Sequence, residues 1–383
     1  MTEAEPETSW RAVTQTVFSV LAVAVALNFV AGRCLERYST NLGYRLIAFK
    51  WRLLGKQDKP VDMLILGDSA GNQGYNPEYL RQRTGNTGLN LATLGNFGLV
   101  DDAWMLQEYV ERVGTPKRVL LIHVYDAWYR RPQAGLFGVI PRWRAQSAEA
   151  ERELRWKPGT RYDLLENRLL PLYSQRQSLR DTLEFAFWRV VLNKADFARF
   201  RARDSRFPEA DPVYHADGYV EMCGALPRVV AADVSGHIRW LSRRPRPQLS
   251  GDNVRALQTM IRIAEKHDIT LSIVPSPIAN TLAARREFKR YVTGLDDNLR
   301  RLTRGHPKVQ LITERFQATP QQMQNADHLA CETVPAYTDW VAAQLKAADE
   351  HPADTKPPPP APRPSASQPA APRPAPFGPE PPQ

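Results

Sequence analysis

Short segments rich in apolar residues recur along the middle of the chain, and each is bounded by polar residues, glycine or proline. They are Met63–Leu66, Leu89–Ala92, Val119–Ile122, Ile269–Val274 and Val309–Ile312. Apolar runs of this length are typical of strands that are buried on both faces, as the strands of a parallel sheet are. The pattern therefore predicts five strands of one parallel sheet.

The segments between these runs carry apolar residues at the spacing of a helix face. Pro77–Leu80 predicts the start of a short helix, and Leu99–Val113 and Asp252–His267 predict longer ones. Strands that alternate with helices form a parallel sheet with helices on both faces. We therefore predict an α/β fold without internal repeats.

The N-terminal region predicts a transmembrane helix. Ala12–Gly32 carries no charge, and about 20 apolar residues span a bilayer as a helix. A cleaved signal peptide is the alternative, but the preceding residues are mostly acidic and no small-residue cleavage site follows. Val30–Cys34 is similar to a lipoprotein signal, yet Arg33 stands where a small residue is expected. We predict a single-pass protein of the inner cell membrane.

The charges flanking this span and the fold predict opposite orientations. Only Arg11 precedes the span, whereas five basic residues follow it: Arg33, Arg37, Arg45, Lys50 and Arg52. The positive-inside rule alone would place the main domain in the cytoplasm, but large domains after one span can translocate despite their charges. Because of the fold and the family resemblance described below, we expect a periplasmic or extracellular domain.

The alternating pattern is interrupted by a long insertion and ends before a proline-rich tail. Residues 127–250 are rich in Arg, Trp and Tyr and contain one clear helical pattern, Leu179–Leu192. Exposed aromatic rings stack on sugars and arginines pair with anions, so the insertion predicts either a polymer-binding cap or an irregular packed lid. From Lys356 onwards the chain is too poor in apolar residues to fold, which predicts a disordered spacer or docking tail.

These boundaries divide the chain into five parts. The predicted parts are the tail and anchor 1–33, a juxtamembrane linker 34–60, a core formed by 61–126 and 251–346, the insertion 127–250, and the disordered tail 347–383. A net charge of +10 and a pI near 9.6 favour an anionic environment. No zinc-type cysteine spacing and no nucleic-acid-binding module is present. We therefore predict no metal, no cofactor and no nucleic-acid partner.

Ser69 is the strongest candidate for chemistry. It follows the strand Met63–Leu66 directly, in Gly67-Asp68-Ser69, and the carboxyl ends of parallel strands are where α/β enzymes hold their reactive groups. His328, in Asn325-Ala326-Asp327-His328, precedes the final predicted helix. A histidine there can activate a serine if the fold brings the two together.

The order of these motifs resembles the SGNH/GDSL hydrolase superfamily. The similar residues are Gly67-Asp68-Ser69 after a strand, Asn90–Asn96 in the next block, and Asp327-His328-Leu329 before a closing helix with Tyr337–Trp340. With an N-terminal anchor, the chain resembles the membrane-bound branch that includes alginate acetylation and teichoic-acid alanylation proteins. The resemblance implies a flavodoxin-like, three-layer α/β/α fold and acyl chemistry on a cell-envelope polymer. It covers the core on both sides of the insertion.

The resemblance also implies site roles. Ser69 matches the nucleophile and His328 the general base. The oxyanion donors would be the amide of Ser69, the amide of Gly95 and a third-block asparagine. That third place holds Asp126, whose carboxylate would repel an oxyanion, and Asn96 is a possible substitute.

The acid of the triad is left open by the sequence. The family places an aspartate three residues before the histidine, where this chain has Asn325, and Asp327 is adjacent to His328. Either Asp327 serves as the acid, or Asn325 orients the imidazole of a Ser–His dyad. Trp128, Arg130 and Arg131 are candidate substrate-binding residues of the insertion.

The cysteines depend on the compartment. An oxidising compartment would allow a Cys223–Cys331 bridge between the insertion and the segment after His328, whereas the cytoplasm would leave both as thiols. Cys34 lies at the membrane boundary.

Two functions follow from these expectations. The first is a membrane-anchored serine esterase or O-acyltransferase that works through an acyl-serine on an envelope polysaccharide. The second is a catalytically weak or inactive relative that binds polysaccharide or a membrane-bound O-acyltransferase. A third reading, an anchored scaffold, rests on the tail alone.

Overall fold

The computed structural model describes residues 10–38, 42–133, 140, 170–191, 212–244 and 246–350. The proline-rich tail lies outside these residues, as do Trp143, Arg144, Trp156, Arg161 and Tyr162 of the insertion.

The central sheet has five parallel strands. They are β1 (Met63–Gly67), β2 (Gly88–Asn90), β3 (Arg118–His123), β6 (Thr270–Pro275) and β8 (Val309–Leu311), and their order is β2-β1-β3-β6-β8. All of β1 is buried, as are most residues of β3 and β6. The prediction of an α/β fold with a parallel sheet is therefore confirmed.

Two small two-stranded sheets accompany the central one. The antiparallel pair β4 (Val213–Tyr214) and β5 (Val220–Glu221) belongs to the insertion. The parallel pair β7 (Ile278–Ala279) and β9 (Gln317–Ala318) lies after β6 and β8 in the chain.

Helices of very different length connect the strands. In chain order they are α1 (Trp10–Tyr38), α2 (Leu42–Leu54), α3 (Ser69–Gly74), α4 (Pro77–Thr84), α5 (Val100–Arg112), α6 (Pro171–Ser174), α7 (Arg176–Val190), α8 (Pro227–Arg243), α9 (Gly251–Lys266), α10 (Asn280–Ala283), α11 (Arg286–Thr303) and α12 (Val334–Glu350). Helices α4, α5, α7 and α9 occupy the segments in which apolar spacing predicts helices. Helix α8 was not predicted, because Gly236 and several valines weaken its helical signal.

The strand order reverses at β1, and this reversal positions the candidate site. The chain passes from β1 outward to β2 and then returns across β1 to β3. Ligands of open α/β sheets bind at such a switch point, in the crevice outside the carboxyl ends of the strands. Ser69 follows β1 at this point.

Helices α5 and α9 pack against each other and contact β1 and β6, respectively. The last helix, α12, packs on α3 and α4. Tyr337 of α12 donates its hydroxyl proton to the carbonyl of Pro275 at 2.9 Å and stacks on Trp340. The closing helix is thereby fixed beside the end of β6.

The N-terminal helix α1 exposes apolar side chains along most of its length. Its segment Trp10–Gly32 has 23 residues and a mean hydropathy of 1.9, and its large apolar side chains are exposed, among them Phe18 and Val25. By length and composition this helix is able to span a membrane.

The next helix, α2, is part of the globular core. Ile47, Trp51 and Leu54 are buried there, and so is Lys50. The Lys50 ammonium donates to the carbonyls of Asn90 at 2.8 Å and Gly218 at 2.6 Å. Burial lowers the pKa of Lys50 well below its usual value, partly offset by Asp217. The segment after the anchor is therefore joined to both the sheet and the insertion.

Candidate active site

Ser69 owes its position to a turn that only glycine permits. Gly67 ends β1 with a φ of 133°, and a Cβ there would lie 1.9 Å from the carbonyl oxygen of Ile122. Asp68 follows as the N-cap of α3, with its carboxylate accepting from the amide of Ala70 at 2.9 Å. Ser69 is then the first residue of α3, at the carboxyl edge of the sheet.

His328 contacts Ser69 across 259 positions of sequence. Its Nε2 lies 2.7 Å from the Ser69 Oγ, and its Nδ1 lies 2.7 Å from Asp327 Oδ1. When Nδ1–H donates to Asp327, Nε2 is the acceptor for the serine hydroxyl. The three side chains therefore have the connections of a serine–histidine–aspartate triad.

Asn325 organises the backbone of this loop. Its Oδ1 accepts from the amides of Asp327 at 3.0 Å and His328 at 2.8 Å, and it lies 3.0 Å from His328 Nδ1. Asp327 is the closer partner of the imidazole and carries the charge. Of the two candidates for the acid, Asp327 thus has the geometry of the acid, whereas Asn325 shapes the turn that presents both residues.

The electrostatics of the pair favour a charged imidazole. Burial is the largest effect and lowers the pKa of His328, but Asp327, together with Asp68 and Asp233, raises it, and the net pKa lies above 6.5. Burial raises the pKa of Asp327, but His328 holds it below the ordinary value. The imidazolium that forms when a base takes a proton from serine is therefore stabilised in place.

Residues of the insertion contact the loop Asn325–His328, the candidate catalytic loop. Asp233 of α8 accepts from the amide of Ala326 at 2.9 Å and lies 3.4 Å from the Nε2 of His237. His237 in turn forms a short hydrogen bond with the hydroxyl of Tyr125, which follows β3. This chain of contacts ties α8 to both the catalytic loop and the sheet.

A disulfide adds a covalent link at the same place. Cys223, just after β5, is bonded to Cys331, just after the catalytic loop. The amide of Cys331 donates to the carbonyl of Met222 at 3.2 Å, and the Gln324 side chain donates to that carbonyl as well. Of the two states that the sequence leaves open for these cysteines, the structure contains the bridge.

Ser69 and His328 open onto a cavity of about 270 Å³. Its apolar wall includes Leu46 of α2, Leu94, and Tyr214, Val220 and Met222 of the insertion. Its polar wall includes Asn72, Gln73, Gln324 and Asn325. The side-chain oxygens of Asn72 and Gln73 are buried and have no hydrogen-bond partner among the described residues. The site therefore combines a reactive pair, apolar space and unsatisfied acceptors.

Gly95 lies next to the Ser69 turn. It begins a short 3-10 helix, Gly95–Phe97, and a Cβ on it would lie 3.6 Å from Asp68 Oδ2 and 3.0 Å from the Arg130 Nη1. Asn96 lies beside it, but its side chain is exposed and donates to Gln133 at 3.3 Å. Gly95 therefore lies against the turn that carries Ser69, whereas the side-chain amide of Asn96 points to Gln133.

The three candidate substrate-binding residues have different environments. Trp128 is buried and packs edge-to-face on His123, which makes it a core residue and not a sugar-stacking surface. Arg131 is exposed. Arg130 forms a two-pronged ion pair with Asp126, through its Nη2 at 2.8 and 2.7 Å.

A second aspartate–histidine cluster lies beneath the site. His123, the last residue of β3, has its Nε2 2.7 Å from Asp102 Oδ2 and its Nδ1 3.2 Å from Asp68 Oδ2. Burial opposes a charged ring, but Asp102 and Asp68 raise the pKa of His123 to about 10. Asp102 also accepts from the amide of Gly67 at 2.7 Å. The cluster therefore fixes the turn that carries Ser69.

Further residues that support the site give no local signal in the sequence. Asn90 donates to the carbonyls of Gly71 and Tyr75, both at 2.9 Å, and so holds α3. Asn253 of α9 donates to the carbonyls of Ala127, Trp128 and Arg130 at 2.9–3.0 Å. Only an alignment or the fold itself would single out these asparagines, or Asp233 on its unpredicted helix.

One group of possible metal ligands occurs within the described part of the chain: Glu221, Cys223 and Cys331. Both cysteines are in the disulfide, so neither sulfur is the thiolate that a metal requires. These residues do not fit a metal site in this form.

Comparison of the chain with protein-family models gives no match. Comparison with curated proteins also gives none. Inference about function therefore depends on the arrangement of the chain's own residues.

Proposed function

We propose that this protein is a membrane-anchored serine esterase or O-acyltransferase of the SGNH type, acting on acyl groups of a cell-envelope polysaccharide. The observation that carries the proposal is the contact of 2.7 Å between Ser69 Oγ and His328 Nε2, with Asp327 on the other ring nitrogen. The strand order, in which β1 lies between β2 and β3 as in flavodoxin-like sheets, supports the family assignment. Gly95 beside the serine turn supports it further.

In the proposed reaction, the Ser69 oxygen attacks an acyl carbonyl while its proton moves to His328 Nε2. The tetrahedral intermediate collapses, and the leaving alkoxide takes the proton from His328. An acyl-serine remains. A water or a sugar hydroxyl then gives its proton to His328 and attacks the acyl carbon. The bond from the acyl carbon to the Ser69 oxygen breaks, and His328 returns the proton to that oxygen.

The walls of the cavity favour transfer over simple hydrolysis. Transfer to a sugar requires that water be kept from the acyl-serine. Leu46, Val220 and Met222 line the cavity beside Ser69, and the disulfide and the Asp233 contact hold the insertion there. An apolar wall fixed in this way is suited to excluding water.

We also propose that the main domain is periplasmic or extracellular. A disulfide persists in an oxidising compartment and is rare in the cytoplasm, and Cys223 and Cys331 are bonded. Helix α1 supplies a candidate anchor. Peptide mapping of the native protein, alkylated without reduction, tests this proposal, since free thiols at both positions would contradict it.

The decisive experiment for the enzyme is intact-mass analysis of full-length protein incubated with an activated acetyl ester or a fluorophosphonate. We expect a single adduct on the wild type and none on Ser69→Ala. Ser235→Ala is a suitable control, because Ser235 is exposed on α8. An equal adduct on Ser69→Ala would sink the proposal.

A non-catalytic envelope protein is the second candidate, and one observation favours it. Asp126 stands where the family has an oxyanion-binding asparagine, so one stabilising donor is missing. Such a protein would bind polysaccharide or a membrane-bound O-acyltransferase. If the wild type forms no adduct with either reagent but binds an acetylated polysaccharide, this second function is supported.

A further inference from the structure

Asp126, which stands where the family has its oxyanion-binding asparagine, is paired with Arg130. Arg130 lies near the proposed oxyanion site. Arg130 Nη2 donates hydrogen bonds to both carboxylate oxygens of Asp126. The other terminal nitrogen, Nη1, lies 3.0 Å from where a Cβ of Gly95 would be. A Cβ lies about 2.5 Å from the amide nitrogen of its own residue. The guanidinium is therefore beside the Gly95 amide.

We propose that Arg130 Nη1 is the third oxyanion donor of this enzyme, and that Asp126 positions it. This inference rests on the proposed function. Arginine has five N–H donors in a fixed plane, so a carboxylate on one side orients the donors on the other. In this arrangement the Asp126 carboxylate does not repel the oxyanion, because Arg130 neutralises it.

The backbone around Arg130 is held rigidly enough for this role. Asn253 binds the carbonyls of residues 127, 128 and 130 with its amide nitrogen. Its Oδ1 accepts from the amide of Leu99 at 3.0 Å, just after the Gly95–Phe97 turn. One side chain thus connects the segment carrying Arg130 to the segment carrying Gly95. Donors fixed before reaction stabilise charge without the cost of reorganisation.

The charges near Arg130 keep it protonated. Burial alone would lower the pKa of Arg130, but Asp126, Asp68 and Asp327 raise it. Arg130 is therefore a charged donor beside Gly95, where the carbonyl oxygen of an acyl group attacked by Ser69 would become negative. A charged donor forms a hydrogen bond roughly twice as strong as a neutral one.

The test measures kcat and KM of full-length Arg130→Met with a neutral activated acetyl ester. Loss of one oxyanion donor lowers kcat about 10²- to 10³-fold, and we expect little change in KM. Arg304→Met is the control, because Arg304 is exposed at the end of α11; its kcat should stay within about twofold of wild type. Guanidinium ion should restore part of the activity of Arg130→Ala.

Folding defects are separated by a second variant. Arg130→Met leaves Asp126 unpaired and half-buried, so Asp126→Ala/Arg130→Met removes both charges, and thermal unfolding is followed for each. We expect the loss of kcat to persist in the double variant. Unchanged kcat in Arg130→Met, or an effect on KM alone, would overturn the Arg130 proposal. A wild type that forms no acyl adduct would instead overturn the proposed function.

A second, independent observation concerns the insertion helices α6 and α7, which contact α1. The amide of Leu172 donates to the Asn28 side chain at 3.1 Å. Asn28 lies four residues before the end of the apolar segment Trp10–Gly32, about 6 Å along a helix axis. The insertion therefore reaches the level of the bilayer boundary if α1 spans the membrane.

Helix α7 has an apolar face that is exposed. Leu183, Phe187, Val190 and Val191 are 61%, 53%, 80% and 60% exposed. Their spacing of four, seven and eight residues places them on one side of a helix. Arg176 and Arg180 lie on the same side toward the start of the helix and are exposed.

We propose that this face of α7 lies in the lipid headgroup region next to α1. Amphipathic helices with exposed aliphatic, phenylalanine and arginine residues bind in this way. Helix α7 contacts α1. Insertion of α1 into a bilayer would therefore bring the apolar face of α7 to the bilayer surface. The insertion would then be a membrane-resting element beside the catalytic domain.

The test uses full-length protein in vesicles of phosphatidylcholine with one-fifth phosphatidylglycerol. A fluorophore is attached to Leu183→Cys or Phe187→Cys in a Cys34→Ala background, without reductant, and nitroxide lipids are added. Lys346→Cys, exposed on α12, is the control. We expect quenching at 183 and 187 several times that at 346. Equal quenching at all three positions, or shielding from both lipid nitroxide and aqueous iodide, would overturn the proposal, the latter indicating a protein partner.

Discussion

Two aspartate–histidine arrangements meet at the end of β1, where Asp68 belongs to one and Ser69 contacts the other. The partners of the two histidine rings differ. His328 has Asp327 on one ring nitrogen and the Ser69 hydroxyl on the other. His123 has carboxylates on both, from Asp102 and Asp68. His328 lines a cavity, whereas Asp327, His123, Asp102 and Asp68 are buried. The second ring nitrogen thus faces the hydroxyl of a cavity-lining serine in one arrangement and a second buried carboxylate in the other.

The protonation of the two rings follows from these partners. A second carboxylate raises the pKa of His123 to about 10, so the ring is a permanent cation at neutral pH and has no free lone pair. His328 has one carboxylate on its ring, Asp327, which raises its pKa above the ordinary value. A ring whose other nitrogen faces a hydroxyl is the one suited to acid–base work.

The largest expected effect is on Ser69. Ser69→Ala removes the proposed nucleophile, and we expect acyl transfer to fall by up to about 10⁶-fold, as for the nucleophile of a serine protease. The thermal unfolding midpoint should change little, because the hydroxyl lies beside a cavity. Stopped-flow measurement with an activated acetyl ester checks the rate, with Ser235→Ala as control. Residual burst kinetics in Ser69→Ala would contradict the assignment.

Asp327→Asn should have the next largest effect. The amide neither stabilises the imidazolium nor fixes the tautomer, and we expect kcat to fall about 10⁴-fold. The carboxylate also raises the pKa of His328, so the variant should lose that elevation. If Asn325→Ala lowers kcat as much as Asp327→Asn does, the roles assigned to these two residues are reversed.

His123→Gln tests the supporting arrangement. It leaves Asp68 and Asp102 buried without their cation, and loss of one partner of a buried pair costs about 3–5 kcal/mol. We expect this loss in the free energy of unfolding from urea titration. His328→Gln should lower kcat and cost less stability than His123→Gln, because it leaves one buried carboxylate, Asp327, without a cation, whereas His123→Gln leaves two. Equal destabilisation by both variants would contradict the different roles proposed for His123 and His328.

Activity and stability should change with pH in opposite directions, because activity depends on neutral His328 and stability on charged His123. His328 acts as a base only when neutral, and its pKa is raised, so kcat/KM should increase with pH through a midpoint above 6.5. The raised pKa of His123 gives stability that is fully present below pH 6.5 and is lost as pH rises toward about 10. Rate profiles and urea titrations at pH 6, 8 and 9.5 check both. A rate midpoint below 6.5 would contradict the Asp327 contact.

The smallest effect is expected for Asn325→Ala. Two backbone hydrogen bonds of the loop are lost, each worth about 1 kcal/mol, and Asp327 remains on the imidazole. We expect kcat to fall about tenfold, with the pH midpoint unchanged. A shift of that midpoint equal to that of Asp327→Asn would contradict a purely organising role.

The sheet and the nucleophile were predictable because their signals are local. Continuous apolar runs identify β1 and β3, and a glycine with a polar turn marks the end of β1. The contact between Ser69 and His328 was a hypothesis from motif order, and the structure brings the two side chains together. Each of these signals lies within a few consecutive residues.

The remaining features depend on contacts between distant segments. Asn253 binds a loop more than a hundred residues before it, and no periodicity encodes that contact. The Asp126–Arg130 pair spans only four residues, but it forms in a turn whose conformation the sequence does not reveal, so Asp126 taken alone argued against an oxyanion site. Helix α8 escaped prediction because tertiary packing, which buries Val230, Val234 and Leu241, outweighs its weak propensity.

The hydrogen bonds of Lys50 determine how closely α1 is joined to the rest of the molecule. Three residues separate α1 from α2, and Lys50 of α2 is bonded to both the sheet and the β4–β5 turn. If α1 spans the membrane as proposed, these contacts keep the cavity beside Ser69 close to the anchor. Under the proposed function, Ser69 would then act at a nearly constant height above the bilayer, on polymer segments that pass through a thin layer at the membrane surface.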